Sequence, residues 1–331
     1  MKGDKSIILA TRKYAKEDKH KSKRLFFSTL VLLLAAFAGA IVNVHIVPQL
    51  ICAVLASLLV ARFFIFYHDY LHNAILKRST LAKVVFIIFG WYMLAPVSIW
   101  KRSHDFHHTH NSKLYTSSIG SYPIVTKESF LAATPKERFV YLFIRHPLTI
   151  AFGYIFVFLL GMCIRSLISN PRRHIDSLIS LIFHVGLGVT IYSIFGLQSL
   201  LIGYILPSFL AMGLGAYLFY AQHNFPTAVH HKKEDWDYVS AALLSSSYMK
   251  MPKWMHWFTG NIGYHHIHHI NPGIPFYNLP RAHEDLEALQ QAGTTSLSPK
   301  DIAACFRLKV WDEERGRMIG LKEMYGKKVS A

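Results

Sequence analysis

SLISLIFHVGLGVTIYSIFGLQSLLIGYILPSFLAMGLGAYLFYAQ, residues 177–222, contains no Asp, Glu, Lys or Arg. A helix needs roughly 20 apolar residues to cross a hydrocarbon core of about 30 Å, so this stretch is long enough to do so twice. Gly196-Leu197-Gln198-Ser199 offers a tight turn at its middle. The expectation is a pair of antiparallel spans, 177–196 and 199–221.

Working outward, a second long uncharged stretch runs from Leu25 to Val47 and follows a basic leader. Residues 1–24 hold nine Lys/Arg against three Asp/Glu. Ala36-Phe37-Ala38 has the look of a signal cleavage site, but the leader is long and the apolar run continues past it, which favours an anchor. Spans are expected at 25–47 and 48–67, with Arg62 near enough to the membrane edge to extend its head group into it. The positive-inside rule puts residues 1–24 in the cytoplasm, most simply at a bacterial inner membrane. The rest of the composition agrees: of 331 residues 52% are hydrophobic and 17% charged, with a mean hydropathy of +0.26. That excludes a disordered chain and a disulfide-stapled secreted scaffold. Cys52, Cys163 and Cys305 form no CxxC pair, so neither an iron–sulfur cluster nor a thiolate zinc site is encoded.

Two further apolar stretches, 81–100 and 148–164, are flanked by histidines. If either crossed alone, those histidines would be divided between the two sides of the membrane. Both are therefore read as interfacial or re-entrant helices. The fold class expected is all-α: an integral membrane four-helix bundle of two hairpins, with interfacial helices and a cytoplasmic helical cap holding a metal site. The membrane domain is expected over 25–290, and 291–331 as a cytoplasmic C-terminal tail.

The chain has 20 histidines and a formal charge of +17. The histidines cluster as His68-Asp69-Tyr70-Leu71-His72, His104-Asp105-Phe106-His107-His108, His223, and His265-His266-Ile267-His268-His269. Helical residues at i, i+3 and i+4 share a face, so each group can aim two or three rings at one point. An HxxHH is expected by chance roughly 0.07 times at this histidine content, and two are present. Burying a polar group without a partner costs roughly 1–3 kcal/mol, which metal ligation would relieve. The nine candidates are His68, His72, His104, His107, His108, His223, His265, His268 and His269. They are too many for one ion and suit two, and imidazole alone leaves Zn, Cu, Fe and Ni open. His266 competes with His265, while His110, His230 and His231 lie beside the clusters without a fixed role. Asp69 and Asp105 each follow the first histidine of a cluster and are expected to orient its ring. Asn224, Asn261 and Asp237 are weaker candidates for that task.

These motifs resemble the membrane fatty acid desaturase family. Its three histidine boxes are similar to His68-x-x-x-His72, His104-x-x-His107-His108 and His265-x-x-His268-His269, and its additional histidine to His223 in Tyr220-Ala221-Gln222-His223-Asn224-Phe225. Trp257 to Tyr264 and Ile274 to Leu279 are similar to bacterial omega-6-type acyl-lipid desaturases. Tyr70 and Leu71 inside the first box, and Pro226 after the HNF-like motif, depart from the family pattern without removing a ligand. The resemblance implies a non-haem centre of two Fe ions that uses O2 and two electrons to desaturate a lipid-linked or thioester-linked acyl chain. It also implies a separate electron donor, a ferredoxin or a b-type cytochrome. No nucleic-acid partner is expected. A di-iron hydroxylase or ketolase of alkanes or carotenoids would share the spacing. A metal transporter would instead need ligands near the bilayer midplane.

Overall fold

The computed structural model describes residues 5–42, 45–115 and 120–326. Residues 43–44, inside the first expected span, and 327–331, at the end of the expected tail, lie outside the described residues. The fold is mostly helical. A short α1 (Ser6–Thr11) precedes the long α2 (Lys19–Ile41) and α3 (Ile46–Leu71), then α4 (Thr80–Tyr92) and α5 (Val97–His110). Next come α6 (Lys127–Ala132), α7 (Pro135–Ile144), α8 (Pro147–Ala151) and an apolar helix, Tyr154–Ser169, whose last turn is α9 (Arg165–Ser169). After these, α10 (Ile175–Gln198) joins α11 (Leu206–His223) through π-helical turns at Ser199–Ile205. The remainder is short: α12 (Tyr238–Leu244), α13 (Lys253–Phe258), α14 (His265–Ile270), α15 (Leu279–Asp285), α16 (Pro299–Arg307) and α17 (Leu321–Tyr325).

Among the described residues, three helices are long and apolar enough to cross a membrane: Lys19–Ile41, Ile46–Leu71 and Ile175–His223. The last has 49 residues and would be roughly 73 Å long if straight. It is not straight. Gly196 sits at φ +84°, in the left-handed region a side chain disfavours, and the helix breaks there. Tyr204 Oη then donates to the His184 carbonyl at 2.9 Å, a contact between residues that one helix would hold far apart. The segment is thus two antiparallel helices. At the closed end of both hairpins, Gln198 Nε2 donates to Gln49 Oε1 at 2.7 Å, Gln49 Nε2 to the Ala40 carbonyl at 2.8 Å, and Ser199 Oγ to the Ile41 carbonyl. Polar groups therefore pair inside the bundle, whereas Val31, Leu34, Ile51, Ile182, Val185 and Val189 face outward. An apolar exterior with a satisfied polar interior is what a lipid solvent selects.

The segment 81–100 is not one helix. α4 and α5 meet at a bend of 89° across Met93–Pro96, where Leu94 takes a positive φ of 52° and Pro96 can donate no helical hydrogen bond. His72, before this segment, and His104, within its second helix, have ring centroids 5.0 Å apart. The chain therefore leaves one face of the bundle and returns to it. The helix Tyr154–Ser169 packs against α10 and α11, with Tyr154 Oη 2.7 Å from His184 Nε2.

The C-terminal segment is no free tail. Strand β1 (Tyr248–Lys250) pairs in parallel with β2 (Thr294–Ser296), and β3 (Leu308–Asp312) pairs antiparallel with β4 (Arg317–Gly320). The Trp311 amide donates to the Val125 carbonyl at 3.0 Å, and the buried Asn224 Nδ2 donates to the Cys305 carbonyl at 2.7 Å. Strands of three to five residues leave too short an alternation to read from sequence. The N-terminal segment is docked as well: Glu17 Oε1 accepts from the Leu76 amide at 2.7 Å, and Tyr14 Oη donates to Asp285 Oδ2 at 2.8 Å.

Gly203 sets how closely the hairpins approach. A Cβ there would stand 2.7 Å from the Ala40 carbonyl oxygen and 2.9 Å from the Ile41 Cα, both backbone atoms. Gly203→Val should therefore cost about 1–3 kcal/mol through overpacking and lower the melting temperature in detergent. An unchanged melting temperature would remove this contact from what holds the hairpins together.

Candidate metal centre

Nine histidines converge where the open ends of both hairpins meet the cap. They form two groups in which the ligand-capable nitrogens lie within 4.8 Å of one another: His68, His72, His104, His108 and His268, and then His107, His223, His265 and His269. All are buried except His72 and His223, which are half-buried. The long helices α3 and α11 bring His68, His72 and His223 to the end of the bundle. The short helices α5 and α14 supply the rest, and both stand between the two groups. The same HxxHH spacing is therefore used in opposite senses. On α5 the outer pair His104/His108 joins the first group and His107 the second. On α14 the outer pair His265/His269 joins the second group and His268 the first.

Within the first group, His108 Nε2 lies 3.1 Å from His104 Nε2 and 3.0 Å from His268 Nε2. Within the second, His107 Nε2 is 3.0 Å from His223 Nε2 and 3.2 Å from His269 Nε2, and His265 Nε2 is 2.8 Å from His223 Nε2 and 3.2 Å from His269 Nε2. Nitrogens about 2.1 Å from one ion, subtending roughly 90–109°, stand about 3.0–3.4 Å apart. The observed spacings match neighbouring ligands on a shared ion. The side chain of His72 adds a buried Nε2 with no hydrogen-bond partner among the described residues.

Two tautomers are fixed by outer contacts. The Asp69 carboxylate accepts from His68 Nδ1 at 2.9 Å and, through Oδ2, from the Phe276 amide at 2.7 Å. His223 Nδ1–H donates to the Ser245 carbonyl at 3.0 Å. In both rings the Nε2 lone pair is left facing its group. The Ser245 contact carries no side-chain signature and could not be anticipated.

Asp105 does not behave as Asp69 does. Its side chain is 50% exposed and accepts from Lys101 Nζ at 2.7 Å. Only the histidine face of α5 is buried, and the residue one step along a helix is turned about 100° away from that face. Asp69 differs because α3 ends wrapped by the Phe276 loop. The weaker candidates also lie elsewhere: Asn224 accepts from Arg145 Nη2 at 2.6 Å, Asn261 Nδ2 donates to the Phe276 carbonyl at 3.1 Å, and Asp237 caps α12. His266 turns away from the groups, its Nε2 lying 2.8 Å from the Leu289 carbonyl. His110 stacks on Phe106 at 3.9 Å between centroids, and His230 packs on Trp311.

Burial, and then the charge that neighbouring imidazoles would carry, hold His265, His268 and His269 well below the usual imidazole value. Neutral rings are the form that binds metal.

The family model for fatty acid desaturase matches residues 44–298. A fatty acid desaturase of Bacillus subtilis (strain 168) is 32% identical over 284 residues, covering 85% of this chain and 79% of the relative. An sn-1 oleoyl-lipid 12-desaturase of Synechocystis is 23% identical over 233 residues, covering 68% and 64%. A Delta(12) fatty acid desaturase of Mortierella isabellina is 26% identical over 254 residues, covering 67% and 63%. The chain belongs to the fatty acid desaturase family.

Two predictions follow from this geometry. Asp69→Asn should weaken metal binding roughly 10–100-fold while Asp105→Asn leaves it unchanged; equal losses, measured by metal titration, would contradict the separation drawn between them. In metal-free protein, the unfolded chain takes up protons below a pKa of about 6.5 while the buried rings stay neutral. Stability contributed by His265, His268 and His269 is therefore complete above about pH 6.5 and lost as pH falls toward their depressed folded values. A melting temperature flat between pH 7.5 and 5.5 would contradict this.

Proposed function

We propose that this chain is an O2-dependent di-iron desaturase that introduces a double bond into a lipid-linked acyl chain. The observation that carries the reading is the pair of adjacent imidazole groups, five nitrogens and four, presented by buried rings at one end of an apolar bundle. The donor set is all nitrogen, which iron shares with Zn, Cu and Ni; membership of the desaturase family is what supports iron. The Synechocystis relative, whose name specifies an oleoyl-lipid, supports an acyl-lipid substrate over a free acid.

An unactivated methylene has no useful acidity, so acid–base catalysis by side chains cannot open its C–H bond. Two irons with O2 would supply the oxidising power, the substrate losing two hydrogens from adjacent carbons while O2, two electrons and two protons complete two waters. The chain's own residues do the positioning. His68, His72, His104, His108 and His268 would hold one ion, and His107, His223, His265 and His269 the other. Asp69 and the Ser245 carbonyl keep the His68 and His223 rings in the tautomer that turns Nε2 inward. The surrounding apolar side chains, Trp100 over His104 and Phe219 over His107 among them, keep bulk water from the reacting carbons.

The electrons would come from a separate donor, a ferredoxin or a b-type cytochrome. Cys52, Cys163 and Cys305 are free cysteines and offer no cluster site among the described residues. A net charge of +17 suits an acidic donor approaching the cap. We further read the two hairpins as four membrane spans, with the N-terminal segment and the histidines on the cytoplasmic side of a bacterial inner membrane. Glu17 bound to the Leu76 amide keeps the basic leader on the same face as the first histidine pair, which supports that orientation.

Purified with supplied iron, the protein should hold about two iron ions per chain, and His268→Ala or His265→Ala should each leave about one and abolish turnover. Lipid mass spectrometry of an expressing host should show a new double bond without a hydroxyl group. Unchanged iron in both variants would sink the ligand assignment, and a hydroxylated product would sink the desaturase.

A further inference from the structure

Both helices that carry an HxxHH motif end against one pair of aromatic side chains. Asn111 closes α5 three residues after His108, and its carbonyl accepts from Trp236 Nε1 at 2.8 Å. His269 lies in the last turn of α14, and its carbonyl accepts from Tyr238 Oη at 2.5 Å. The Trp236 and Tyr238 rings stand 6.5 Å apart between centroids. One hydrogen bond thus leads toward each group, since His108 belongs to the first and His269 to the second.

The pair is held rigidly and reaches the surface. The Leu114 amide donates to the His231 carbonyl at 2.8 Å and the His231 amide to the Ser112 carbonyl at 2.9 Å, which ties the loop carrying Trp236 to the chain after α5. Asn111 Nδ2 donates to the Ala241 carbonyl at 3.2 Å and to Ser246 Oγ at 3.0 Å, which ties the end of α5 to α12 and the turn after it. Trp236 and Tyr238 are half-buried, residues 232–235 beside them are exposed, and Lys113 Nζ lies 4.1 Å over the Trp236 ring. Burial raises the Tyr238 phenol, so it keeps the proton that it donates to the His269 carbonyl.

Helix-end carbonyls need donors in any case. At a surface, water meets that need, so capping alone does not call for an indole and a phenol in series. The nine rings are buried or half-buried, so an electron from a protein carrier must cross a shell of protein to reach them. Electrons pass more readily through covalent and hydrogen bonds than across a gap, and at a steady rate only where distances are fixed. Another aromatic cluster of the cap, Tyr248, Tyr264 and His283, leads to His266, whose ring faces the Leu289 carbonyl and neither group.

We propose that Trp236 and Tyr238 form the entry route for electrons, and that a one-electron carrier protein docks over Trp236. The proposal rests on the desaturase reading, which is what requires an external donor. Each carrier molecule is oxidised by one electron, and two such transfers reduce two ferric ions to ferrous. The route residues make and break no covalent bond and end unchanged. They touch neither metal nor substrate, so they are not catalytic residues.

The test uses the full chain loaded with iron in detergent. Reduction of the iron is followed by stopped-flow absorbance with a reduced two-iron ferredoxin, with a reduced b-type cytochrome, and with dithionite, which is small enough to need no docking surface. At least one carrier should reduce the wild type. Tyr238→Phe and Trp236→Leu should each lower the limiting rate at saturating carrier about tenfold, with the dithionite rate, iron content and Mössbauer spectrum unchanged, and Trp236→Phe should restore part of the loss. If Trp236→Leu fails to fold, Tyr238→Phe, which removes a single oxygen atom, still decides. An unchanged carrier rate in either variant overturns the proposal. So does a dithionite rate or iron content that falls along with the carrier rate in Tyr238→Phe, since that marks a structural role. A wild type reduced by dithionite and by neither carrier overturns it as well. Carrier reduction that depends on Trp236 and Tyr238, with no double bond formed in any lipid, upholds the route and overturns the desaturase reading.

Discussion

Nine imidazole rings turned toward two points inside a protein are costly unless something positive sits between them. The rest of the structure is arranged around holding them there. Four helices from distant parts of the chain must deliver nitrogens to within a few tenths of an ångström, so the scaffold has to be stiff at both ends. The closed ends are tied by Gln49, Gln198 and Ser199, and Gly203 lets the backbones approach. Nearer the cap, Arg62 of α3 links α2 to α13, donating from Nε to Thr29 Oγ1 at 3.1 Å and from Nη1 to the Trp257 carbonyl, with its guanidinium 4.0 Å over the Trp257 ring. These polar ties matter in a bundle whose outer surface is apolar, since lipid supplies no hydrophobic drive to press the helices together.

The two HxxHH motifs show how one spacing serves two groups of rings. A single motif places three rings on one helical face, but that face is wide enough to straddle two sites. Because α5 and α14 approach from different directions, each divides its three rings two and one, and the divisions are complementary. The first group gains its remaining rings from α3 and the second from α11. The outer contacts then divide the same way, with a carboxylate on His68 and a backbone carbonyl on His223. A carboxylate makes its ring the more electron-rich donor, so the two groups of rings are chemically unequal.

The cap is built from short elements that gain their order from packing. The C-terminal strands and α16 close over α11, and through Asn224 they meet Arg145 and the cleft beside His107. The cleft beside His107 is therefore walled by residues from widely separated stretches.

Much of this is legible in the sequence. Apolar length and the absence of charge give the two hairpins, because a lipid solvent tolerates little else, and Gly196 marks a turn that a side chain would disfavour. The doubled HxxHH names six of the nine rings, because helical periodicity and improbability point the same way, and the His68/His72 pair at i, i+4 adds two more. Sequence could not say which ring belongs with which, because that depends on the angle at which α5 meets α14. Nor could it separate Asp69 from Asp105: both follow a histidine by one residue, and only the Phe276 loop wrapping one helix end, with solvent at the other, tells them apart. The folding of residues 294–325 into the cap was equally hidden, since three-residue strands are made by their partners and carry no periodic signal of their own. The chain's chemistry is thus written locally, in residue types and spacings, whereas the division of nine rings into groups of five and four is decided by helices meeting at angles no single segment encodes.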